Sequence, residues 1–177
     1  MTKRHKREHG FNMIELMVTL VVVSVVITLG APAMTNFIAD MRLSATTNDV
    51  LSFFNYARSE AAKRGARVTL CISSDLSACA PAATDWAVGA LAYIDGDNNA
   101  QVSSGETVLR VMNPIPGNVS ITPTSAFATN FYFYYRPSGA ANSQGTLRIC
   151  RSGRNARDVS INAVGRPISQ STATVCS

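Results

Sequence analysis

Twelve consecutive residues, Asp95-Gly96-Asp97-Asn98-Asn99-Ala100-Gln101-Val102-Ser103-Ser104-Gly105-Glu106, carry side-chain oxygens at their first, third, fifth, seventh, ninth and twelfth positions. An EF-hand loop surrounds calcium with this spacing, hard oxygen donors matching a hard cation. Asp95, Asp97, Asn99 and Glu106 are the calcium candidates. Two departures point to a plain polar hairpin loop instead: Ala100 stands where the loop needs glycine, and the flanks read as strands rather than helices.

A second carboxylate, Glu15, opens an otherwise apolar helix. A charge near a membrane core costs roughly 2.5–3.5 kcal/mol even on the lenient insertion scale, so an acid in that place needs a partner. Lys3, Arg4, Lys6 and Arg7 precede it and belong on the cytoplasmic side of a membrane under the positive-inside tendency. Cleavage between Gly10 and Phe11 would free an amine four residues from Glu15. The competing reading is an ordinary secretory signal, with Leu16 to Leu29 as its apolar region and Ala31-Pro32-Ala33 as its cleavage site. An ordinary signal has no use for a carboxylate one step before that region. The mature N-terminus separates the readings: a methylated Phe11 or a start at Met34.

Arg148, Arg151, Arg154, Arg157 and Arg166 cluster toward the C-terminus, and the turn-like stretch from Ser152 to Arg157 could present guanidinium groups to phosphates. Such DNA contact would be electrostatic and blind to sequence; the alternative is that these arginines solvate the surface or pair with acidic neighbours. Cys71, Cys79, Cys150 and Cys176 all lie beyond the apolar segment. Even parity and an exported context favour two disulfides over a zinc site, for which no Cys-x-x-Cys pair exists. Sequence order makes Cys71–Cys79 with Cys150–Cys176 the simplest of three connectivities. The longer bridge would restrict the unfolded chain by roughly 3 kcal/mol.

Catalysis has little to work with. Both histidines, His5 and His9, precede Phe11, and Lys63 is the only lysine after it. No nucleophile, base and orienting group stand at interpretable spacing, so the chain reads as a non-enzyme without a cofactor.

The elements that must position these groups follow from periodicity. The 177 residues suit one domain plus an appendage, and the net charge of +5 hides asymmetry. Residues 75–106 hold five acids and no base, whereas residues 136–177 hold six arginines against Asp158; this speaks to surfaces and partners. From Phe11 to about Ala33 the helix is apolar all round, interrupted by Thr19, Ser24 and Thr28, whose hydroxyls can bond back to their own helix. Pro32 should kink the helix without ending it, because helical patterning resumes at once. Leu43, Thr47, Val50, Phe54, Ala57 and Ala61 then mark one face. Lys63, Arg64 and Gly65 supply a helix stop. A continuous helix over residues 11–64 would be about 80 Å long. Short β segments follow at Arg67–Ser73, Trp86–Ile94, Thr107–Met112, Val119–Thr122, Asn130–Arg136, Thr146–Cys150 and Asp158–Val164.

The stretch Gly10-Phe11-Asn12-Met13-Ile14-Glu15 after a basic segment resembles the class III leader of type IV prepilins. In that family a membrane peptidase cuts after the glycine and N-methylates the next residue. The glutamate at the fifth mature position then pairs with the N-terminal amine of a neighbouring subunit. The run from Phe54 to Arg64, then Val68-Thr69-Leu70-Cys71 and Trp86-Ala87-Val88-Gly89 before Asp95, resembles the GspH/FimT family of minor pilins and pseudopilins, over nearly the whole chain and ending in a strand containing Gly165-Arg166.

The resemblance implies an α+β fold: a long N-terminal helix packed against a β-rich head of two small antiparallel sheets. It divides the chain into a leader at 1–10, a transmembrane half-helix at 11–33, an amphipathic half-helix at 34–64 and a head at 65–177. It further implies prepilin peptidase and other pilin subunits as partners, and anchoring in the inner membrane with a periplasmic head before assembly. The expected function is a minor pilin that enters or primes a type IV pilus; a type II secretion pseudopilin and a DNA-binding pilin for natural transformation are the alternatives. FimT-type pilins bind DNA through a C-terminal Gly-Arg-x-Arg element, and Gly165-Arg166-Pro167-Ile168 here lacks the second arginine.

Overall fold

Helix α1 comprises Met13–Arg64, 52 residues. The computed structural model describes residues 12–124 and 131–177, with backbone only at Pro32 and Ala33. The Asn12 carbonyl starts the helix by accepting from the Glu15 and Leu16 amides at 3.0 and 3.2 Å. The hydroxyls of Thr19, Ser24 and Thr28 each donate to a carbonyl three or four residues back, at 2.8 to 3.0 Å, so the apolar surface carries few open polar groups. Gly65 ends the helix with φ 62°, and the Ala66 amide reaches back to the Ala61 carbonyl at 3.3 Å. This is the Schellman closure that a left-handed glycine permits.

The chain divides into two units, Met1–Asp40 and Met41–Ser177. In the second, Leu43, Thr47, Val50, Phe54, Ala57 and Ala61 are all buried. Their spacing puts them on one stripe. Strands β1 (Val68–Ile72), β2 (Ala90–Ile94), β3 (Val108–Met112), β4 (Val119–Pro123), β5 (Tyr132–Tyr135), β6 (Gly145–Arg151), β7 (Asn155–Ile161) and β8 (Pro167–Val175) form two antiparallel four-stranded sheets. The first has the order β3-β2-β1-β5 and the second β4-β6-β7-β8.

One core joins the helix to both sheets. Phe54, fully buried, lies 5.9 Å from the Trp86 ring and 5.6 Å from Phe133. Leu70 of β1, Ala92 of β2, Ile121 of β4, Leu147 of β6 and Val159 of β7 belong to the same buried cluster. A single 3-10 turn, Trp86–Val88, leads into β2. Its capping residue Asp85 accepts from the Ala87 and Ile121 amides, both at 2.8 Å, and so ties the entry of one sheet to a strand of the other.

Three elements differ from the sequence reading. Trp86 to Val88 coil into that 3-10 turn before the strand begins. Gly165 and Arg166 sit in the turn between β7 and β8, not in a strand. Strand β8 is the third difference. Most of its residues are exposed, so it lacks the alternation of apolar and polar residues that marks a half-buried strand, and its pairing with β7 holds it instead.

Phe54→Ala should leave a cavity where the helix and both sheets meet. A loss of about 3–5 kcal/mol is expected, read as a lower urea midpoint of the full chain in detergent.

Candidate functional site

In the first unit the helix surface is apolar and open. Met13 is 81% exposed, Leu29 72% and Phe37 60%. The helix is long and apolar enough to cross a membrane. Glu15 is exposed in its first turn, and among the described residues no cation lies within ion-pair distance of it. Gly10 and Phe11, the expected cleavage and methylation positions, lie outside the described residues.

In the second unit the helix is fastened to turns by a residue that sequence reasoning did not single out. Arg58 donates through Nε to the Gly139 carbonyl and through Nη2 to the Val164 carbonyl, each at 3.0 Å. One planar guanidinium thereby holds two turns against the helix. Between them Gly165, at φ 80°, lies so close that a Cβ would meet the Gly139 carbonyl oxygen at 2.3 Å and the Tyr135 ring at 3.0 Å. The glycine of the Gly165-Arg166 pair thus has a packing reason that stands apart from any ligand. The signal for Arg58 in the sequence was its place in the stretch from Phe54 to Arg64, without a role attached.

Cys71 is bonded to Cys79 and Cys150 to Cys176. The first bridge closes a short loop in which the exposed Asp75 accepts from the Ser77 and Ala78 amides, both at 3.0 Å, and from the Ser73 hydroxyl at 3.1 Å. The backbone amides of Ser77 and Ala78 hold its carboxyl well below the usual carboxylate range.

The five arginines do not share one face. Arg148 is committed to Asp158 by two hydrogen bonds of 2.9 Å. Register places Arg148 opposite Asp158 and the buried Ile149 opposite Arg157, so Arg148 and Arg157 point to opposite sides of their sheet. Arg151 buries Nη1, Arg154 is half-buried, and Arg166 is exposed in the β7–β8 turn.

The residues of the twelve-residue stretch do come together. Asp95, Asp97 and Glu106 bring carboxylate oxygens within 4.8 Å of one another in the connection between β2 and β3. Asn99 lies beside them, its side-chain amide donating to Asp97 at 2.8 Å and to Ser103 at 2.9 Å. Asp95 is buried and Asp97 exposed.

A family profile described as type II transport protein GspH matches residues 46–165. The crystal structure of the type IV minor pilin FimU of Pseudomonas aeruginosa in space group P21 superposes with a TM-score of 0.59 at 18% identity, over 78% of this chain and 98% of that one. In space group P65 the same protein gives 0.55 at 18% identity, over 74% of this chain and 98% of that one. At that identity the likeness establishes the fold. No curated protein sequence matches significantly.

Two measurements address the head. Arg58→Ala should cost about 1–3 kcal/mol by removing charge-assisted bonds to two carbonyls, measured by urea unfolding. The second concerns acid. Because the folded pKa of Asp75 lies below its ordinary 3.8, the unfolded chain binds the extra proton first. The stabilisation is whole above the ordinary value and drains away as pH falls beneath it. Asp75→Asn should therefore flatten the loss of thermal stability below about pH 4.

Proposed function

The chain belongs to the family of the type II transport protein GspH, and from that premise we propose that it is a minor pilin that enters or primes a type IV pilus through α1. The family is one of structural, pilin-like subunits, and other such subunits are its partners. The observation that carries the proposal is the exposed apolar surface from Met13 to Phe37 with an acid, Glu15, in its first turn. Water disfavours this surface at roughly 25 cal/mol per Å². A bilayer satisfies it before assembly, and a bundle of like helices satisfies it afterwards.

Glu15 then distinguishes the two homes. In lipid it is a cost; in a bundle it meets the amine freed when prepilin peptidase cuts between Gly10 and Phe11, and opposite charges attract strongly in a medium of low dielectric constant. The inner membrane holds the helix until that exchange, with the head on the periplasmic side. The arginine-rich C-terminal region and the second disulfide support the pilus over the secretion machine, in which the same helix would enter a short pseudopilus.

Glu15→Ala should insert in the membrane and be processed normally yet fail to join fibres or priming complexes, scored by copurification with other pilin subunits. Normal incorporation would overturn the assignment. Mass spectrometry of the wild-type N-terminus should find methylated Phe11. Deleting the gene should abolish piliation and spare secretion; the reverse pattern would place the subunit in the secretion machine.

A further inference from the structure

We propose that the connection between β2 and β3 binds one calcium ion, with Asp95, Asp97 and Glu106 as its carboxylate ligands. The inference rests on this connection alone and holds for a subunit of either machine. Three carboxylates within a twelve-residue stretch converge to within 4.8 Å of one another. Like charges at that separation repel, and exposed acids often cluster without an ion, so convergence by itself decides nothing.

Asp95 supplies the independent observation. Its side chain is 0% exposed. Its Oδ2 accepts from the Thr69 hydroxyl at 2.7 Å and the Ala100 amide at 3.3 Å, and lies 3.0 Å from Arg67 Nε. Its Oδ1 is equally buried and has no hydrogen-bond partner among the described residues. A buried acceptor left empty costs about 1–3 kcal/mol, more when charged. The oxygen at fault belongs to the carboxylate that also faces Asp97 and Glu106, where a cation would satisfy all three groups together.

The charges agree. Arg67 is the cation paired with Asp95, and it is shared: its guanidinium carbon lies 3.7 Å from the centre of the Tyr134 ring, and Nη1 reaches Asn98. Three carboxylates against one guanidinium leave two negative charges.

The donors fit calcium. Glu106 accepts from the Gly96 amide through Oε1 at 2.8 Å and from the Ser103 amide through Oε2 at 2.9 Å, and Asp97 Oδ2 accepts from Asn99 and Ser103. These bonds orient the carboxylates toward the loop and leave each oxygen further lone pairs. Zinc prefers nitrogen and sulfur, and magnesium demands a rigid octahedron; an all-oxygen set on a loop suits calcium's six to eight ligands, with water completing the shell. Ala100, the apparent mismatch, takes φ 59°, the left-handed conformation that this position requires, so alanine meets the backbone demand at some strain.

The test is calorimetry of the full chain in detergent micelles after chelator treatment, titrated with calcium chloride. One saturable site with a Kd of about 10⁻⁴–10⁻³ M is expected, together with a calcium-dependent rise in melting temperature that magnesium does not reproduce. Asp97→Asn and Glu106→Gln, each less buried than Asp95, should each weaken binding at least about tenfold, since calcium affinity is set by ligand charge. No saturable heat at about 10 mM calcium in folded wild-type chain would overturn the site. So would unchanged affinity in both variants, or equal response to magnesium, since neither fits calcium's ligand preferences.

Discussion

The packing of one helical stripe, Leu43 to Ala61, into a core shared by two sheets is the interaction on which the rest of the head depends. Neither sheet buries its inner face against the other alone. Phe54 supplies the junction, touching Trp86 before the first sheet and Phe133 within it, while Ile121, Leu147 and Val159 bring the second sheet into the same cluster. Polar bonds then fix what the apolar contacts only attract. Arg58 holds two turns to the helix, and Asp85 joins the sheets. Such bonds are directional, whereas burial is not, which is why they set geometry out of proportion to their energy.

The same helix carries two kinds of surface. From Met41 onward one stripe is apolar and buried, so the segment is at home beside a water-soluble head. Before that point large apolar side chains are exposed all along it, and their hydroxyl-bearing neighbours turn inward onto their own backbone. A sequence that changes character within one continuous element can answer lipid and water at once. Family membership makes sense of this division, since a subunit of this kind needs both an anchor and a folded surface.

Much of this was legible in the residues. The helix face from Leu43 to Ala61 could be read from spacing because burial on one side leaves a periodic trace. Lys63, Arg64 and Gly65 marked the stop by chemistry that needs no tertiary context. Strand β8 was illegible for the opposite reason: its ladder with β7 is made by the backbone, which every sequence possesses, and its mostly exposed side chains carry no trace of it. The arginines illustrate a third case. Their closeness along the chain suggested a patch, yet alternation along β6 and β7 sends Arg148 and Arg157 to different sides, and Arg148 is already neutralised by Asp158. The acidic stretch ran the other way, since carboxylates at the two ends of twelve residues meet in space despite the missing glycine, while the buried, unsatisfied oxygen of Asp95 has no counterpart in the letters.

The bond between Cys150 and Cys176 has a mechanical consequence. Strand β8 lies at the end of the order β4-β6-β7-β8, where a sheet is easiest to peel, and among the described residues β7 is the strand it pairs with. The cystine sits just past its last residue and skips over β7 to grip β6. Tension drawing on the tail would thus bypass the hydrogen bonds and load a covalent strut, so unzipping from that end stops at its first step.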